Sequence, residues 1–310
     1  MRTMCKAGVL LILVVFYSIS NLLAQDKIEV KDVSQLTSRG KQTGYSVFIK
    51  DATLDNVIKK WGQNMKNEKA ADIFKSKDDK VKYEVKAGEY IAERAILPEI
   101  SNKYITTIAN IVNVSGGVQI TAFFELDSIF ISKQTLGTTY NDTRNYVRKF
   151  GIVCYKDAVS NELAREDKKL TDLNDKLESL KSKKIQLEKS IIKSESLISE
   201  MESELRTNLS DQERSGQNLK MLNDSLTNQQ VNSAAYTVYN NRLKEESKTQ
   251  KRLLNDNAAI HKKIENSKKD ILEYKEALSK NQVDQEFQSK QIENQQIVVN
   301  NVKTKLQNIK

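Results

Sequence analysis

The chain is poor in the residues that interrupt, cross-link or catalyse. Of its 310 residues, one is proline, two are cysteine, one is histidine and one is tryptophan. The single proline, Pro98, excludes a proline-rich linker and leaves long stretches free to run as helix. The single histidine, His261, excludes a zinc site built on several histidines, and two cysteines exclude a four-cysteine site. The same scarcity leaves no Ser-His-Asp arrangement. No phosphate-binding G-x-x-x-x-G-K-[ST] run occurs either. Gly40-Lys41 lacks the upstream glycine, and Gln42 stands where a hydroxyl is needed. Ser115-Gly116-Gly117 lies between two strand-like runs, so it reads as a turn and not as a phosphate cradle at a helix start. These absences point to a protein that is not an enzyme and uses no cofactor or metal. An enzyme with an unrecognised site in the first half is the alternative.

What is present starts with an export pattern. Arg2 and Lys6 flank the beginning of an apolar run from Ala7 to Tyr17, too short to cross a bilayer comfortably. Ser18, Ser20 and Asn21 weaken its extension, and Ala24 is a small residue suited to a cut before Gln25. Residues 1–24 are expected to be a signal peptide cleaved between Ala24 and Gln25; an uncleaved anchor reaching Leu23 is the other reading. The expected destination is outside the cytoplasm, in the periplasm or attached to the cell envelope, with no membrane span after cleavage. Cys5 would leave with the signal, so the mature chain keeps Cys154 alone and forms no intramolecular disulfide. Cys154 then reads as a small buried hydrophobe, with an intermolecular bridge as the other reading.

Net charge is +9, and loss of Arg2 and Lys6 would leave +7. Basic and acidic residues are interleaved through both halves, which reads as a solvated surface and not as a nucleic-acid footprint. The stretch from Lys59 to Lys86 is lysine-rich and is a candidate for weak contact with an anionic envelope polymer.

The chain divides by periodicity. Residues 25–43 read as an extended leader. Residues 44–140 read as an α+β domain with a small, mainly antiparallel sheet. GYSVFIKDA is its first strand, with Asp51 or Thr53 to cap a helix. Leu54, Val57, Ile58, Trp61 and Met65 share one face of that helix. KVKYEVK and Tyr90–Leu97 are further strands. YITTIANIVNV, a glycine turn, VQITAFFEL, an Asp127-Ser128 turn and IFIS complete a meander.

Residues 141–310 are helical. Tyr146, Val147, Phe150, Cys154 and Val159 form an apolar stripe expected to pack on the sheet. A seven-residue repeat follows. With Leu170 as position a, nine heptads run to Gln229 without a register break, and a second run starts at Leu243. Asn and Ser near 231–235 favour a turn, which would make an antiparallel coiled-coil hairpin whose facing residue numbers sum to 465. One continuous rod, dimerised in parallel, is the alternative. NLSDQE ends at Glu213 and NQVDQE at Glu286, 73 residues apart. In both copies Asn falls at d and Gln at a: Asn208 with Gln212, Asn281 with Gln285. With Asn257 they form polar layers in an apolar seam, which select register at a cost in stability. Asp211 and Glu213 are two apart on a helix and do not converge, so a catalytic reading fails. The same offset aligns Leu180 with Leu253 and Ile191 with Ile264. That reads as an internal duplication or as the limited vocabulary of coiled coils. Tyr236 and Tyr239 flank the turn and are either seam packing or a contact at the tip.

The LLAQ junction, GYSVFIKDATLDNVIKKW, YITTIANI…VQITAFFELD and YVRKFGIVCYKDAV…EL together resemble a family of uncharacterised exported proteins of Bacteroidota. The resemblance implies a periplasmic or surface-facing α+β head with a helical stalk, and lends no activity. The function expected is a non-enzymatic scaffold or adaptor of the cell envelope. Its head would bind a protein partner, its stalk would set spacing, and the coil would offer a surface for self-association. An adaptor or regulator of an efflux or wall-remodelling assembly is the alternative.

Overall fold

The computed structural model describes residues 28–66, 81–231 and 233–310. The expected signal peptide, with its Ala24–Gln25 junction, lies outside these residues, as does much of the lysine-rich stretch. The fold is an antiparallel sheet with one short helix, followed by two long helices that form a hairpin, as the α+β reading expects. The strands are β1 (Val30–Thr37), β2 (Gly40–Lys50), β3 (Lys82–Lys86), β4 (Glu89–Leu97), β5 (Ser101–Val114), β6 (Gly117–Leu126) and β7 (Ile129–Phe130). The helices are α1 (Leu54–Met65), α2 (Thr139–Thr227) and α3 (Ala234–Asn308). A break between α2 and α3 overturns the continuous rod.

The chain forms two compact units. One takes the described residues up to Leu170 together with Asn294–Lys310, and the other is Thr171–Glu293. In the first, the sheet order is β1-β2-β6-β5-β4-β3, with β7 beside β6 where β2 leaves off. One sheet face carries Tyr45, Val47 and Ile49 of β2, Ile105 and Ala109 of β5, and Ile120 and Phe124 of β6, all buried. Against it pack Val57, Trp61 and Met65 of α1 and Tyr146, Val147, Phe150, Cys154 and Val159 of α2. Helical spacing brings these apolar residues onto one face of each helix. The Trp61 ring meets Phe150 edge-on at 5.1 Å and Phe124 at 6.4 Å. Val302 and Ile309, near the end of α3, belong to this same core. The division at residue 140 is corrected accordingly: the first turns of α2 and the last turns of α3 are part of the sheet unit, because their stripes are covered there.

The leader reading is also corrected. Most of residues 30–43 is β1 and the start of β2, paired from Val30↔Val47 to Thr37↔Gly40. The glycine at 44 looked like a strand boundary, but it lies inside β2. A Cβ there would stand 2.5 Å from the Phe123 ring, so glycine marks the close approach of an aromatic side chain, not an end. Pairing of β2 with β6 reaches only Tyr45, and the rest of the β1–β2 hairpin pairs with itself. Its turn reaches the sheet face opposite the helices. There the Ser38 N–H donates to the buried Glu89 carboxylate at 3.0 Å, and Arg39 pairs with Glu93 and Glu125. Beneath it, Ile91, Ile108 and Phe123 form a second, small apolar cluster.

Candidate functional site

In the Thr171–Glu293 unit, the heptad assignment locates the contact face directly. All eighteen a and d positions from Leu170 to Gln229 are buried or half-buried, and so are those named from Leu243 onward. Met201, Ile260 and Ile264 form the centre of the seam, with Ile198 and Leu205 beside them.

The two hexads adopt the same geometry. In the first, Gln212 Nε2 donates to Asn208 Oδ1 at 2.6 Å and to the Leu253 carbonyl on the facing helix at 3.3 Å. In the second, Gln285 Nε2 donates to Asn281 Oδ1 at 2.6 Å and to the Leu180 carbonyl at 3.5 Å. Asn281 Nδ2 adds a bond to the Leu180 carbonyl at 3.1 Å. Asn208 and Asn281 are buried; Gln212, Gln285 and Asn257 are half-buried. Each module spends one amide's two N–H groups on a neighbour four residues back and on the opposite backbone. A buried amide is tolerable only when its partners are supplied, and this arrangement supplies them in one axial register. The contacts Gln212–Leu253 and Gln285–Leu180 each sum to 465. Asn281–Leu180 and Gln288–Leu173 sum to 461, one helical turn away.

The heptad pattern places Gln288 and Gln295 at d as well, and both make bonds that sequence reasoning left out. Gln288 Nε2 donates to the Leu173 carbonyl at 2.9 Å from a site only 1% exposed. Gln295 Nε2, in the other unit, donates to the Glu166 carbonyl and carboxylate. The hydrogen bonds from Lys169 and Gln295 hold the Glu166 carboxyl below its ordinary pKa. Tyr236 and Tyr239 are both half-buried near the turn, where Ser233 Oγ accepts the Tyr236 N–H at 3.0 Å.

The sheet unit holds its polar groups in structural clamps. Asp32 of β1 accepts from Tyr140 Oη at 2.6 Å, pairs with Arg144 and lies 3.4 Å from Lys133. Arg144 also donates to the Val30 carbonyl at 2.7 Å, tying β1 to the first turns of α2. Burial alone would raise the Asp32 pKa, but the Tyr140 hydrogen bond and the Arg144 and Lys133 charges outweigh it and leave it lowered. Burial likewise works against the Arg144 charge, and the same partners reverse that and raise its pKa. At the other end, Lys305 donates to Asp51 at 2.8 Å and to Glu162 at 2.9 Å. Its pKa is raised although burial alone would lower it.

Beside Asp51 lies a pocket of about 60 Å³ lined by Asn56, Lys60, Cys154, Asp157 and Arg165. That is room for a water or two, far below the size of a substrate cleft. Burial pushes the Cys154 thiol up to about 12, which disfavours the reactive thiolate at neutral pH. Among the described residues no group of three or more His, Cys, Asp or Glu side chains is placed to hold a metal ion. No described helix is long and apolar enough to cross a membrane.

Comparison with known proteins adds no relative: no family model, no curated protein and no solved structure matches this chain. The architecture defines it as an antiparallel sheet followed by two long helices.

Proposed function

We propose that the chain is a non-enzymatic scaffold or adaptor of the cell envelope, in which the sheet unit binds a protein partner and the hairpin sets spacing. The observation that carries this reading is the register lock. From Thr171 to Thr227 the hairpin offers about 85 Å of helix at ~1.5 Å per residue. Two buried amide modules fix that length against axial slip. A spacer needs a fixed length, and amides placed at seam positions lower stability in return for a single register. The titratable groups with the most pronounced partners, Asp32, Arg144 and Lys305, are engaged in holding strands to helices, which favours a binding role for the sheet unit over chemistry.

The sheet face opposite the helices carries the exposed side chains Phe48 and Val112. A photo-reactive amino acid placed at each, in the full chain in its own cells, should give discrete adducts with a protein of the envelope fraction. Recovery of the chain as an unpartnered monomer from every position, or its recovery in the cytoplasm, would overturn the reading.

A further inference from the structure

The hexad spacing and the hairpin register are two independent numbers, 73 and 465. Together they generate a symmetry. Moving one helix forward by 73 and the other back by 73 converts the contact Gln212–Leu253 into Gln285–Leu180. Both contacts exist. The intramodule bond recurs at the same 2.6 Å, and the buried Ile191 and Asn208 map onto the buried Ile264 and Asn281. A limited residue vocabulary explains recurring leucines. It does not explain why two amide modules, one on each helix, each reach the carbonyl of the leucine that the offset assigns.

We infer that each arm of the hairpin carries a complete self-recognition surface, so that its seam fits a second copy of the same arm. The hairpin is an antiparallel homodimer fused into one chain. The α2 seam recognises, in α3, a displaced version of itself. The copies differ where function as a pair no longer requires identity. Lys184 corresponds to Asn257, Leu177 to Gln250 and Ser215 to Gln288. Ser215 Oγ and Gln250 Oε1, which the register sets against each other, are both buried without a hydrogen-bond partner. Those two positions are where the arms have drifted from mutual fit.

The inference is tested in the full chain by replacing residues 247–293 with a copy of residues 174–220, the segment 73 positions earlier. The chimera should keep the parent's sedimentation coefficient, with helicity unchanged and a melting midpoint within about 10 °C of the parent. A control takes residues 172–218 into the same place, with identical length and nearly identical composition, but with every seam position supplied by an outward-facing residue. It should lose the cooperative helical transition or associate. The reciprocal chimera, residues 247–293 in place of 174–220, guards against a local defect at one junction. If neither in-register chimera outperforms the shifted control, the arms are not self-complementary and the inference falls. That outcome leaves the spacer proposal standing, since a hairpin of two unrelated arms would space as well. Loss of in-cell adducts with intact chimeras would instead strike the proposed function alone.

Discussion

Alanine in place of Gly44 should destabilise the sheet unit, by an amount set by one ring. Its Cβ would lie 2.5, 2.8 and 2.9 Å from three atoms of the Phe123 ring. Carbon atoms prefer a separation of about 3.5–4.0 Å, so the ring must retreat by roughly 1 Å. Phe123 is fully buried against Ile91 and Ile108 and has little room to do so. Overpacking of this kind costs about 1–3 kcal/mol. Loss of glycine's freedom in the unfolded chain returns about 0.4–1 kcal/mol. The net loss is therefore about 1–2 kcal/mol. The only tryptophan, Trp61, is fully buried in the same unit, so its fluorescence reports this unit without interference from the helical signal of the hairpin. With a urea slope of about 2 kcal/mol per molar, the midpoint should fall by about 0.5–1 M. In a Phe123→Leu background the same substitution should cost less than about 0.5 kcal/mol, since the smaller side chain vacates the space. An unchanged midpoint for Gly44→Ala, or an equal drop in both backgrounds, would refute the assignment of Gly44 as the site where the ring crosses the backbone.

The Asp32 clamp predicts a pH dependence. The folded-state pKa is lowered, so its contribution is present above the unfolded value near ~3.9 and is lost as pH falls through the folded one. Asp32→Asn should be less stable than the parent at pH 7, and the gap should narrow below about pH 4 in Trp61-monitored unfolding. Replacing Asn208 and Gln212 together by leucine should raise the helical melting midpoint, since both ends of the amide bond leave at once. The same change should loosen the register, read as new cross-links between cysteines placed one heptad out of step. Cys154 should resist a thiol reagent at pH 8 in the native chain and react fully in denaturant, consistent with a thiol pushed to about 12 and 3% exposed.

Where one face of an element is strongly apolar, the sequence predicted its placement well. The stripe from Tyr146 to Val159, the inward face of α1 and the seam of the hairpin all follow from spacing, because burial requires those residues to share a side. The polar modules were legible for the same reason, as amides sitting where leucine is expected. Strand β1 was not. Its core-side positions are Val30, Asp32, Ser34 and Leu36, of which only Val30 is buried, so the edge strand shows no alternation. Its anchor is an ion pair between Asp32 and Arg144, 112 residues apart, and a long-range pair of charges leaves no local pattern. Gly44 misled because glycine at a strand end and glycine under an aromatic ring look alike in one dimension. The membership of Asn294–Lys310 in the sheet unit was hidden too: Val299, Val302, Leu306 and Ile309 continue the heptad pattern, and periodicity specifies a buried face without naming what covers it.

That last segment makes the sheet unit discontinuous along the chain. Val302 and Ile309 complete a core whose other members were synthesised well over a hundred residues earlier. A nascent chain that has emerged only as far as the turn still lacks Val302 and Ile309 from that core. Closing that gap as a floppy loop would be slow, but a hairpin zipped from its turn delivers Asn294 back beside Leu170 in one motion. Connectivity thus favours an order in which the arms pair before Val302 and Ile309 complete the core.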